Sequence, residues 1–354
     1  MSWIWRGLRP ILESVLAGLI GLGVGALIMW AWGYRPWPAY VALFKESFGS
    51  GYGLASALAN ATPLILTALT FAAGARAGLF IIGAEGMMYM GAMAAVALSL
   101  FQLPSGFHTF VALLCAAAAG ILWGFIPAVL RAYRGVHEVI STIMFNWLSH
   151  FLSFYLVANV LVDPIRAEKT LSIVKTSRLP LLIRGTDLSL GIVVAAGLAL
   201  LFYVFFWHTV AGYEVRAAGA NPYAARYGGV SPQRTVLLVF ALGGAAAGLA
   251  GAVEVMGRPP TYAVYSGLTN LSGFGFDGIG VAMIGRIHPL GIIPAAIFYG
   301  GLQAGARLMQ MEAGVPFEMV RAVQGVIVLA LALPELTRIF KVFFRSIQRK
   351  GART

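Results

Sequence analysis

Apolar runs of about twenty residues recur along the whole chain, separated by short polar or glycine-bearing connections. A helix needs about 20 mostly apolar residues to cross hydrocarbon. The pattern predicts ten helical spans, at about 11–32, 54–75, 80–102, 107–130, 138–160, 188–208, 234–256, 274–286, 289–310 and 318–334. The eighth is too short to cross as a straight helix, so a short broken helix is expected near residue 275. No small-residue cleavage site follows the first run, which is expected to stay as a span. The fold class is therefore all-α, a polytopic transmembrane bundle treated as a single domain over 1–354.

Two connections exceed a turn. The outer segment 161–187 is polar and carries Asp163-Pro164, Pro180 and Asp187. The inner segment 209–233 contains Asn221-Pro222, which can open a short helix because proline suits the first turn. Gly228 and Gly229 can close it. With Arg216, Gly219, Ala224 and Ala225 arranged around that helix, the segment reads as a docking element on the membrane surface or as an ordinary linker.

Composition fixes the setting. Charged residues are 11% of the chain, against about 25% in soluble domains, and the mean hydropathy is +0.83. The net charge of +12 does not signal nucleic acid, because the basic residues sit between and at the ends of apolar runs. With the N-terminus inside, fifteen basic residues fall on the inner side, including Arg6, Arg9 and the tail 335–354, against eight outside. That asymmetry predicts both termini in the cytoplasm. The single cysteine, Cys115, lies in an apolar run and forms no internal disulfide.

Enzyme chemistry finds no support. Lys169-Thr170 and Lys350-Gly351 lack the upstream glycines of a phosphate loop, and Gly21 to Ala26 has dinucleotide-binding letters inside an apolar span with no preceding strand. The five histidines show no metal-ligand spacing. The small residues Gly243 to Gly251 form a helix-packing stripe, and Trp30, Trp32, Tyr34 and Trp37 read as an interfacial aromatic belt.

Polar groups inside spans are costly unless they face a partner or a cavity. Glu85, Asn146, Glu254, Asp277 and Arg321 are the candidates. Glycines 267, 273, 275, 278 and 280 would leave backbone exposed around Asp277, which hydrocarbon does not tolerate. A cavity beside a broken helix would satisfy them, with Phe274 and Phe276 stacking on a planar solute. Alternatively, Asp277 caps its helix and the phenylalanines face lipid, while Glu85, Glu254 and Arg321 make structural ion pairs.

Three segments resemble a known family. Phe80-Ile81-Ile82-Gly83-Ala84-Glu85-Gly86 matches its Phe-Asn-Ile-Gly-x-Glu-Gly-Gln pattern, with Ile81 in place of asparagine and Met87 in place of glutamine. Arg216 to Pro222 with Ala224-Ala225, and Gly275 to Gly291, match its inner loop and late broken helix. The chain thus resembles the permease subunit of bacterial ATP-binding-cassette importers for branched-chain amino acids, simple sugars and nucleosides. Gly135 to Met144 followed by Asn146, and the long segment 161–187, are similar to the nucleoside group.

The resemblance implies a non-enzymatic transport subunit of the cytoplasmic (inner) membrane, with no cofactor of its own and ATP held by a partner. The implied partners are a cytoplasmic ATPase, a second permease more readily different than identical, and an extracytoplasmic solute-binding protein. Arg216, Gly219, Asn221, Pro222, Ala224 and Ala225 would couple to the ATPase. Asn146, Glu254, Phe274, Phe276, Asp277 and Glu85 would line the solute path. A sugar or branched-chain amino acid is the alternative cargo. A self-sufficient channel or carrier is the alternative mechanism.

Overall fold

A computed structural model describes residues 18–316 and 318–330. Arg6, Arg9, the start of the first expected span, the end of the tenth and the basic tail lie outside the described residues. Thirteen helices appear among the described residues: α1 (Gly18–Ala31), α2 (Pro36–Phe48), α3 (Gly51–Arg76), α4 (Ala84–Leu98), α5 (Phe107–Arg134), α6 (Glu138–Tyr155), α7 (Gly191–His208), α8 (Val210–Ala220), α9 (Pro222–Tyr227), α10 (Pro232–Gly257), α11 (Phe274–Ile284), α12 (Pro289–Ala313) and α13 (318–330). One wide turn, Leu156–Val160, continues α6.

Five of these helices (α3, α5, α6 with its extension, α7 and α10) are long and apolar enough to cross a membrane. Between α11 and α12 the chain bends by 119°, so the short helix expected over 274–286 ends in a sharp break at Gly285–His288. The expected run 80–102 yields a shorter helix. Gly78 takes a φ of +72° and residues 79–83 stay non-helical, which leaves α4 with 15 residues. Two helices were not expected. α2 starts on Pro36, where proline fits the first turn. α8 occupies what reads as linker, capped by the Thr209 hydroxyl accepting from the Gly212 N–H at 3.0 Å. The short helix foreseen after Asn221 is α9, whose cap is the Asn221 side chain accepting from the N–H groups of Tyr223 and Ala224.

Packing separates the chain into two compact units, Gly51–Gly301 and the flanking segments Met1–Ser50 with Leu302–Thr354. Within the larger unit, α10 is the axis and packs against α3, α4 and α5. Its small-residue stripe explains why. A Cβ on Gly248 would collide with the Ala116 carbonyl of α5, and one on Gly251 with the Met88 carbonyl of α4. Gly91 and Gly120 answer from the facing helices, since a Cβ on either would strike α10 backbone. Without side chains between them, backbones approach closely and gain dispersion contacts that lipid does not offer. Burial follows: 78% of the most apolar window of α3 is inside the protein, against 28% for α5, α6 and α7. Those three helices turn Leu122, Phe151 and Leu201, each more than half exposed, outward as a lipid-facing surface.

In the smaller unit the Tyr40 hydroxyl donates to the Leu22 carbonyl at 2.7 Å, tying α2 to α1. Gly21 and Gly25 of α1 lie close to Ile327 and Val323 of α13. Trp30, Trp32 and Trp37 stay more than 70% exposed, as an interfacial belt requires.

Gly248→Leu is expected to destabilise the larger unit by about 1–3 kcal/mol through overpacking, seen as a lower unfolding temperature in detergent. Gly197→Ala in α7, where a Cβ would meet nothing within 4 Å, should leave that temperature unchanged or raise it.

Candidate functional site

Polar chemistry gathers where α4 begins. Glu85 lies in the first turn of α4, where the helix dipole favours negative charge. Its Oε1 accepts from the Tyr89 hydroxyl at 2.7 Å, the Gly273 N–H at 3.0 Å and the Ser272 hydroxyl at 3.5 Å. Its Oε2 has no hydrogen-bond partner, although Glu85 is only 7% exposed. Gly275 permits this arrangement, because a Cβ there would press on the Glu85 backbone. From the other side, the Thr67 hydroxyl of α3 donates to the Phe274 carbonyl at 2.9 Å. The start of α11 is therefore wedged between α3 and α4.

Asn146 of α6 holds the entry to α4. Its Oδ1 accepts from the Gly86 N–H at 2.9 Å, and its Nδ2 donates to the Ile82 carbonyl at 2.9 Å. Along the same face, Ile143, Trp147 and His150 follow at helical spacing. The His150 ring centroid lies 5.9 Å from those of both Tyr89 and Trp147. Between α4, α6 and α11 opens a cavity of about 290 Å³. Glu85, Asn146, His150 and Ser272 give it polar walls; Tyr89, Ile143, Trp147 and Phe276 give it apolar and aromatic ones. Its mouth is marked by Trp147 and Phe276, which are 59% and 53% exposed. At 1.5 Å per residue, Asn146 lies about 12 Å from the Glu138 end of α6 and about 21 Å from Val160. The cavity thus sits deep in the spanning region.

Of the six expected path residues, the structure brings Glu85, Asn146 and Phe276 to this cavity. The other three are placed elsewhere. Phe274 presents its carbonyl to α3. Asp277 accepts from the Tyr299 hydroxyl of α12 at 3.0 Å. Glu254 pairs with Arg258, Oε1 with Nε at 2.9 Å and Oε2 with Nη2 at 3.1 Å. Arg258 also donates to Asn60 Oδ1 at 3.0 Å and approaches Asp187 Oδ2 at 3.9 Å. This cluster closes the end of the bundle where segment 161–190 lies. The carboxylates around Arg258 hold its pKa above the ordinary value against the opposing effect of burial. Segment 161–190 has no helix longer than one turn, but its backbone pairs with residues 256–266, for example Thr170 N–H to the Val264 carbonyl at 2.8 Å. Ile81 and Met87, the two departures from the family pattern, are fully buried away from the cavity, against Gly74 and Gly124 respectively.

At the opposite end, Trp207 of α7 collects cations. The Arg76 guanidinium lies 4.8 Å and that of Arg216 5.7 Å from its ring. The His288 ring lies tilted against it, with centroids 4.7 Å apart. Burial, then the Arg76 charge, pushes the His288 pKa down. Arg76 donates through Nε and Nη2 to the Ile287 carbonyl at 3.0 and 2.8 Å, holding the bend between α11 and α12. Gly219 of α8 sits flush on the Arg76 and Ala77 backbone. Of the residues expected to couple, Arg216 and Gly219 face this cluster and Ala225 is buried. Asn221, Pro222 and Ala224 are exposed beside Tyr223 and Tyr227, which are 81% and 96% exposed.

Residues 53–332 match the family described as branched-chain amino acid transport system / permease component. The chain belongs to this permease family. It is a multi-pass membrane transport subunit of the ABC-importer kind. The permease is 39% identical to the guanosine ABC transporter permease protein NupP of Bacillus subtilis, over 98% of this chain and 99% of that one. It is 33% identical to the nucleoside ABC transporter permease protein NupB of Lactococcus lactis, over 92% and 91%. It is 31% identical to the glucose ABC transporter permease protein TsgB13 of Haloferax volcanii, over 96% and 90%. No solved structure matches the permease.

Removing one member of the Glu254–Arg258 pair leaves the other buried charge uncompensated. Glu254→Ala or Arg258→Ala should each lower the unfolding temperature, by about 1–3 kcal/mol of stability. The double variant is expected to cost clearly less than the sum, as a double-mutant cycle would measure.

Proposed function

We propose that this permease carries a nucleoside across the cytoplasmic membrane, along a path past the cavity between α4, α6 and α11. The observation that carries the reading is the cavity itself: a buried carboxylate oxygen without a partner, at membrane depth, beside the exposed rings of Trp147 and Phe276. Polar walls of this kind do not face lipid tails. They face water, a solute or protein, and the aromatic surfaces favour a planar solute. The similarity to guanosine and nucleoside permeases over nearly the whole chain supports the same cargo class.

Since the mouth opens on the outer surface of one chain, a second permease stands opposite it, and the paired chains enclose the path. A different chain is the preferred partner. A binding protein delivers solute at the end capped by segment 161–187. A cytoplasmic ATPase, which holds the ATP, docks on α8 and α9, and the excess of basic residues on the inner side favours both termini in the cytoplasm. Exposed Tyr223, Ala224 and Tyr227 form the docking face, because tyrosine gives contact area at low entropic cost. Movement there reaches α11 through Gly219, Arg76 and Ile287.

Reconstitution with these partners in proteoliposomes tests the reading. Labelled guanosine should accumulate only with ATP and the binding protein. Uptake that ignores either would instead support a self-sufficient carrier. Ala224→Glu should cut ATP-driven uptake at least tenfold and reduce co-purification of the ATPase, with an unchanged unfolding temperature. Arg76→Ala should retain the ATPase yet lose most of the transport.

A further inference from the structure

Among the described residues that line the cavity, Glu85 supplies the buried side-chain oxygen that has no hydrogen-bond partner. Oε1 is occupied by Tyr89, Ser272 and Gly273, which fixes the carboxyl plane. Oε2 is left buried without a partner. Asn146 is committed to the backbone at Ile82 and Gly86. A metal is not the missing partner, because no group of three metal-ligating side chains exists among the described residues. Water fills such an acceptor when the cavity is empty, and a donor on the solute fills it when the cavity is loaded. A buried acceptor left empty is destabilising, and a donor that fills it gains selectively over an analogue that lacks one.

We infer that Glu85 reads the edge of the nucleobase: an N–H group in the plane of the base donates to Oε2 while the ring lies against Trp147 or Phe276. The inference rests on the nucleoside reading above and adds to it the recognised part of the solute. A ring laid on an aromatic face presents its in-plane donors sideways, toward the cavity wall where Glu85 stands. A ribose hydroxyl could also donate, but it requires no aromatic mouth. Guanosine carries N–H donors on its base. Purine riboside carries the same sugar and no N–H on its base.

The test uses Glu85→Gln in the complete reconstituted importer. With Oε1 kept as the acceptor for Tyr89 and Gly273, the substitution turns Oε2 into a donating NH₂ group of nearly the same size. Uptake of guanosine and of purine riboside is measured for variant and wild type, and each variant-to-wild-type ratio is taken. The binding protein is common to both, so its own preference cancels. The expected result is a fall for guanosine at least tenfold larger than the fall for purine riboside. Equal falls for both would overturn the inference and leave Glu85 a positioning residue or a reader of ribose. Wild-type uptake of neither nucleoside would overturn the cargo reading as well. If the variant fails to assemble, displacement of labelled guanosine from the detergent-solubilised wild-type permease decides. Purine riboside should compete at least tenfold less well than guanosine, and equal competition overturns the inference.

Discussion

Wherever a helix stops inside a membrane, its N–H groups and carbonyls must be answered from within the protein. The chain breaks its helices before α4, before α11 and between α11 and α12, and a specific side chain meets each break. Asn146 takes one N–H and one carbonyl at the start of α4. Glu85 takes the N–H of Gly273 at the head of α11. Arg76 takes the carbonyl of Ile287 at its tail. The polar residues that look expensive in an apolar sequence are thus the ones that make broken helices affordable. Glu85, at the wall of the cavity, retains one oxygen beyond what that task consumes.

The two ends of the larger unit solve different problems. At one end, Glu254 and Asp187 converge on Arg258, and the backbone of segment 161–190 is laced to residues 256–266. Such a cap resists opening. At the other end, Arg76, Arg216 and His288 gather on Trp207, with no carboxylate among the contacts that hold them together. Cation–π and ring contacts hold their partners with less directional demand than a bidentate ion pair.

Much of the architecture was legible in the chain. Of the ten spans expected, five described helices have spanning length, or six if the bent α11–α12 pair is one span; the glycine stripe of α10 follows from simple periodicity, and Asn221-Pro222 announced α9 to the residue. The short helix at 274–284 was equally clear from its glycines. Other features were hidden. α8 escaped because its cap depends on Thr209, a residue whose role appears only with a neighbouring Gly212 packed against α7. In the site, buried carboxylates advertise themselves, but a sequence does not say which of them find partners. Glu254 has an arginine four residues on, a spacing that favours pairing, and that arginine claims it. Nothing in the apolar pattern singles out Trp147, and His150 stands out only as a histidine without metal-ligand spacing, yet with Ile143 and Asn146 they line one face of α6.

The placement of α11 carries a mechanical consequence. Its eleven residues make a rod about 16 Å long, pinned at the tail by the guanidinium of Arg76 and abutting Glu85 at the head. A swing of about 10° around the pinned tail displaces the head by about 3 Å, given that length. That distance is the width of one hydrogen bond, so a small stroke at the membrane surface would be enough to take Gly273 off Glu85, leaving Oε1 to Tyr89 alone and loosening the carboxyl that the solute meets.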